Sequence, residues 1–124
     1  AKVRAASLWA GERSAISHGA AAALWQIGDL LSHPVVVTTE RSLKSPPGLS
    51  VRRIGSFGPA DVTVLEGMAV TTPARTLLDL AAVAPIEAVE AAVDDALRSR
   101  LVSLAKLRWF VQTYGGRGRA GPRR

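Results

Sequence analysis

The apolar positions follow two different rhythms. Up to about residue 71 they come in short bursts broken by Gly, Pro and polar runs, and from Thr72 onward they recur at helical spacing. In the first part, Val3, Ala6 and Ala10, with Leu8 and Trp9 between them, predict a short helix that Gly11 ends. Ser17 is a suitable N-cap for His18 to Ile27, a run dominated by alanine, the strongest helix former. Ala21, Leu24 and Trp25 give that helix one core-facing stripe, and Gly28 with Ser32-His33-Pro34 break it. The β-branched run Val35 to Thr39 predicts a strand, and Glu40 to Gly48, with Pro46-Pro47, predicts a loop. Leu49 to Ile54 reads as a strand with one wetter face, and Phe57 to Asp61 as a turn. Val62 to Leu65 and Met68 to Val70 predict a hairpin around Glu66-Gly67.

The second part is helical. Thr72 followed by Pro73 places an N-cap before a proline at the first helical position, where the missing N–H costs nothing. Ala74, Leu77, Leu78 and Ala81 then mark a buried face. After Pro85, the residues Ile86, Val89, Val93, Ala96 and Leu97 line a second helix, with Asp94 and Arg98 at ion-pair spacing. Ser103 caps a third, whose inner face is expected to be Leu104, Leu107 and Val111. The expected class is α+β: a small antiparallel or mixed sheet of three to four strands packed against helices, with a helical C-terminal half. The expected core is Leu24, Trp25, Val36, Val64, Val70, Leu77, Leu78, Val89, Val93, Leu97 and Leu107. Residues 1–114 are expected to form one domain. Residues 115–124 carry no apolar side chain larger than alanine and read as a flexible basic tail or linker.

Composition narrows the classes. The 124 residues are 48% hydrophobic and 21% charged, which excludes a disordered chain for most of the length. No apolar run approaches the ~20 residues of a membrane span, and no basic-then-apolar secretory pattern opens the chain. Cysteine is absent, which removes disulfides, thiolate metal sites and cysteine nucleophiles and fits a cytoplasmic location. The chain starts at Ala1 and its only methionine is Met68, so it reads as a methionine-processed chain or as a fragment. Sixteen basic against ten acidic residues give a net charge of +6, which brings a polyanionic partner into consideration.

The sequence holds no complete catalytic set. His18 and His33 are fifteen positions apart and make no metal-ligand spacing. Asp61 and Glu66 superficially fit a metal-dependent nuclease of the PD-(D/E)xK type, but the lysine position is Met68. Gly55-Ser56 and Asp61 likewise begin a nucleotidyltransferase pattern whose second acid is Thr63. No phosphate-cradling Gly-Lys-Ser/Thr loop is present, and Asp94-Asp95 point about 100° apart on a helix. The expectation is therefore a protein without catalytic residues, metal or cofactor.

Two groups remain as candidates. Arg75 and Asp79 lie four apart with the base first, on the face away from Leu77, Leu78 and Ala81. That order is the poorer one for a helix, and an arginine in the first turn opposes the dipole. Arg75 either clamps sheet to helix or meets an external partner. Arg52 and Arg53 sit on a strand and point to opposite faces, whereas Arg117, Arg119, Arg123 and Arg124 lie in the Gly-rich tail, where they can follow phosphates without reading sequence.

Two stretches carry a family resemblance. Ser17-His18-Gly19-Ala20-Ala21-Ala22-Ala23-Leu24-Trp25 resembles a Ser-His-x-Ser/Thr-Ala-Ala-x-Leu-Trp-Gly motif of a widespread actinobacterial family. Glu66 to Ala81, with Thr71-Thr72-Pro73-Ala74-Arg75-Thr76-Leu77-Leu78-Asp79-Leu80-Ala81, resembles its second signature. The family is that of AbiEi-type antitoxin-like proteins of type IV toxin–antitoxin (abortive infection) systems. Ala20 stands where Ser or Thr is usual, and Gln26 where Gly is usual. The resemblance marks His18, Trp25, Arg75 and Asp79 as motif residues. It implies a domain that follows an operator-binding winged helix and precedes, in many relatives, a Vsr-like endonuclease, with neither flank in this chain. It also implies a nucleotidyltransferase-like toxin as the opposed protein.

Three functions follow as expectations. The first is a non-enzymatic antitoxin-like regulatory domain acting through protein or nucleic-acid contacts. The second is a sequence-nonspecific DNA- or RNA-binding accessory module using the Arg/Gly tail. The third is a fragment of a Vsr-like endonuclease-containing protein.

Overall fold

The computed structural model describes residues 2–28 and 35–114. Among the described residues five helices and five strands follow in the order α1 (Lys2–Ala10), β1 (Ser14–Ile16), α2 (His18–Trp25), β2 (Val35–Thr39), β3 (Leu49–Arg53), β4 (Val62–Leu65), β5 (Met68–Thr71), α3 (Pro73–Val83), α4 (Ile86–Arg98) and α5 (Leu104–Tyr114). The class is α+β as expected, but the sheet has five strands rather than three or four, in the order β3-β2-β1-β5-β4. The additional strand is β1, and it is central. Ser14-Ala15-Ile16 is too short to show a period. Its extended form is imposed by β2, which pairs with it antiparallel, and by β5, which pairs with it parallel. The break expected at Ser32-His33-Pro34 and the tail at 115–124 lie outside the described residues.

Adjacent strands β2 and β3 run parallel, from Val35 opposite Leu49 to Thr39 opposite Arg53. The segment 40–48 returns the chain without a helix; nine extended residues span up to roughly 30 Å, more than enough for a five-residue strand. The β4–β5 hairpin closes on Glu66 and Gly67, with φ of 52° and 80°, the signature of a type I′ turn.

Two apolar clusters hold these elements. In one, Ala6 and Ala10 of α1 and Ala20 and Ala21 of α2 pack with Ile16, Val35, Val37, Met68 and Val70. In the other, Ala22 and Ile27 pack with Leu77, Leu78 and Leu80 of α3, Val89, Ala92 and Ala96 of α4, and Phe110 of α5. Trp25 touches both, and its indole N–H donates to the carbonyl of Thr71 at 2.9 Å. Of the expected core, Val70, Leu77, Leu78 and Val89 are buried, and Leu24, Trp25, Val36, Val93, Leu97 and Leu107 are half-buried.

Val64 is the exception, 71% exposed. It sits on edge strand β4 opposite Ala69, on the side of the sheet away from Met68 and Val70. Two other expectations also shift by a fraction of a turn. On α5 the inward residues are Leu107, Phe110 and Tyr114, leaving Leu104 and Val111 exposed, and on α3 Ala81 is exposed. Arg98 pairs with Asp95 rather than Asp94, because the Asp95 carboxylate also accepts the Gly28 N–H at 2.7 Å and is thereby fixed. Among the described residues no helix is long and apolar enough to cross a membrane.

Helix α2 ends on Gln26 in the left-handed conformation, φ 60° and ψ 45°, with its N–H bonded back into the last turn. A glycine takes that conformation without the steric cost of a Cβ. The exposed substitution Gln26→Gly is expected to raise stability by about 1 kcal/mol in urea unfolding, with an unchanged denaturant slope.

Candidate functional site

The two motif stretches are joined where the indole of Trp25, at the end of α2, bonds the Thr71 carbonyl just ahead of α3. Thr72 accepts the Arg75 N–H with its hydroxyl oxygen and donates to the Ala60 carbonyl at 2.9 Å, while its own N–H donates to the Asp61 carbonyl. The start of α3 is thereby tied to the turn ahead of β4. The first turn of α3 thus carries Arg75 inward, to a place where only 1% of it is exposed.

Two carboxylates receive it. Asp79, one turn on, meets Nη2 at 2.8 Å, and Asp61 faces Nη1 at 3.9 Å. Asp61 is itself held by the Gly58 N–H at 2.6 Å. Asp61 and Asp79 are as buried as the arginine. Beside them Thr71 and Thr76 share a hydroxyl–hydroxyl bond of 2.7 Å.

The first motif adds a hydroxyl–imidazole chain. Ser17 occupies the N-cap position of α2 but does not cap it. Instead its oxygen accepts from the Thr38 hydroxyl at 2.8 Å and lies 2.8 Å from His18 Nδ1. His18 is buried, and it adopts φ 55°, a left-handed backbone that few non-glycine residues take. Burial, reinforced by the positive charges of Arg52 and Arg75, lowers its pKa from 6.5 to about 4.

The sequence-predicted candidates therefore separate into three sets. His18, Trp25, Arg75 and Asp79 belong to one internal assembly. The side of α3 that carries Arg75 and Asp79 is buried like the rest of the helix from Ala74 to Leu80, because α2, α4, α5 and the turn ahead of β4 pack against it, so of the two readings of Arg75 the internal clamp fits the geometry. Arg52 and Arg53 are exposed on edge strand β3, in register with Thr38 and Thr39. Arg117, Arg119, Arg123 and Arg124 lie outside the described residues. Ser17, Thr38, Asp61, Thr71 and Thr76 join them; Ser17, Thr71 and Thr76 lie within the motif stretches, whereas Thr38 and Asp61 carry no local sequence signal for this place.

Asp61 and Glu66 do not converge. Asp61 turns inward to Arg75, and Glu66 is exposed at the hairpin tip. Among the described residues no group of three or more His, Asp or Glu side chains is placed to hold a metal ion. An apolar groove of about 490 Å³, lined by Lys2, Trp9, Val35, Pro46, Pro47 and Leu49, shares no residue with the buried assembly.

Two measurements test this arrangement. Arg75→Met leaves two buried carboxylates without their counter-charge and is expected to cost about 3–5 kcal/mol at pH 7, less in acid, where the carboxylates protonate. For His18, the unfolded ring titrates near 6.5 and the folded one near 4, so between these values the unfolded chain holds more protons. The contribution of about 3 kcal/mol is complete above pH 6.5 and is lost as the pH falls toward 4. His18→Asn, which tolerates the left-handed backbone, should flatten the pH dependence of unfolding across that window relative to the parent chain.

Over residues 7–123 the sequence matches the model of the family described as AbiEi antitoxin C-terminal domain. No curated protein and no solved structure matches the chain. With both motif stretches meeting in one buried assembly and the match spanning nearly the whole length, the chain belongs to the AbiEi antitoxin C-terminal domain family and is the antitoxin side of a toxin–antitoxin system.

Proposed function

We propose that this domain acts without catalysis, opposing a nucleotidyltransferase-like toxin of a type IV system in the cytoplasm through protein or nucleic-acid contacts. The observation that carries this reading is the burial of the chemically capable side chains. Ser17, His18, Asp61, Arg75 and Asp79 are all buried, Ser17 against His18 and Arg75 against Asp61 and Asp79. A general base must reach a substrate proton within hydrogen-bond distance, and the His18 ring is buried with Ser17 as its hydrogen-bond neighbour. The same groups serve well as a rigid frame that presents surface. Operator binding and transcriptional control belong, by the resemblance, to a winged helix and are not proposed for these residues.

The test is co-expression with the neighbouring toxin gene in a host whose growth the toxin arrests. The soluble 1–124 chain should restore growth, and Arg75→Met should fail to do so in proportion to its loss of folded protein. Growth that stays arrested while the folded chain accumulates would end the proposal.

A further inference from the structure

Charge is divided unevenly along this chain. Up to Asp95, ten acidic residues face eight basic ones; after it there is no acid, only seven arginines and Lys106. The described part of this basic portion is the end of α4, where Arg98 pairs with Asp95, the 99–103 turn and α5. Leu107, Phe110 and Tyr114 of α5 face the helical core, so Lys106, Arg108, Trp109, Gln112 and Thr113 face solvent.

Trp109 is 44% exposed, yet its ring is held. Phe110 and Tyr114 stand edge-to-face with it at centroid distances of 5.4 and 5.8 Å. The Lys106 ammonium lies 5.7 Å from the ring centroid, so a cation from the solvent side reaches the indole face. A lone exposed tryptophan on a protein surface needs no explanation. A braced one on a helix that carries two cations and no acid is a different case.

We infer that the outer face of α5 binds single-stranded nucleic acid. Trp109 stacks on an unpaired base, while Lys106 turns from the ring to a flanking phosphate and Arg108 takes another. Each base has a π-face, so the contact is tolerant of sequence. A duplex keeps its bases stacked inside and offers this face phosphates alone. An anionic bilayer would attract the same cations, but a helix lying in a membrane interface needs its aromatic and aliphatic residues on one face. Here Trp109 and Val111, two positions apart, point roughly 160° from each other. The inference does not depend on the antitoxin reading, since the binding is measured without a toxin.

The test uses the full 1–124 chain and a fluorescein-labelled oligo(dT) of about 15 nucleotides, followed by anisotropy at about 20 mM salt. Binding is expected, with Trp109→Ala weakening it roughly tenfold and leaving a duplex of equal length nearly unaffected. Lys106→Ala with Arg108→Ala should lower the salt slope by about 1.4, two phosphates' worth for a single strand. The indole signal should be quenched on binding, and Trp109→Phe, which keeps the apolar contacts, should remove that quench. If Trp109→Ala does not fold, the Phe variant and the double cation variant decide the matter. Removing residues 115–124 should weaken binding overall yet preserve the effect of Trp109. The inference is overturned by no binding at low salt, by Trp109 variants that bind and quench like the parent, by complete loss of binding with the tail alone, or by binding to anionic phosphatidylglycerol vesicles in place of the oligonucleotide.

Discussion

A guanidinium cannot be deprotonated to escape burial, so wherever Arg75 is enclosed its charge must be balanced on the spot. The fold does this with two carboxylates from different places in the chain. Asp79 comes from the next turn of the same helix, and Asp61 from the turn ahead of the β4–β5 hairpin. The three groups thus join a local contact to one that requires the sheet and α3 to be in register. Breaking either side leaves an uncompensated charge in a region where water cannot reach it. The geometry is reinforced by backbone bonds: Thr72 donates to the Asp61 carbonyl, and the Asp61 side chain accepts from Gly58. Position of the hairpin, start of α3 and charge balance are therefore one constraint.

That constraint changes the meaning of the two motif stretches. Each contains residues that in another setting perform chemistry: serine beside histidine, arginine beside aspartate. Here the serine is held by Thr38 and the imidazole, the arginine is enclosed, and Trp25 bonds the first motif to Thr71 of the second. Long, specific sequence patterns arise from internal fit as readily as from catalysis. What the domain presents outward is carried by other residues: Arg52 and Arg53 on an edge strand, the apolar groove beside α1, and the cationic face of α5.

Much of the fold was legible in local patterns. The Thr72-Pro73 helix start, the Glu66-Gly67 turn and the β-branched run at Val35 to Thr39 all occur where the sequence places them, because each depends on a residue's own backbone preference. The central strand β1 was not legible, since three residues of mixed preference become a strand only when neighbours bond them from both sides. Whether Arg75 clamps sheet to helix or meets an external partner was not legible for a related reason. A helical period reports one apolar stripe, whereas α3 is enclosed on every side over its first two turns, and a period has no way to express that.

The amino-acid order alone thus determined the α+β class, the helix and hairpin boundaries, the absence of thiol chemistry and the concentration of positive charge after Asp95. The tertiary structure alone decided that Asp61 faces Arg75, that His18 stays neutral far below the usual imidazole range, and that Trp109 rather than Leu104 or Val111 is braced beside a cation. The division has a physical basis. Backbone preference and net charge belong to single residues and their near neighbours, but burial and electrostatic pairing depend on what the rest of the chain brings to the same place.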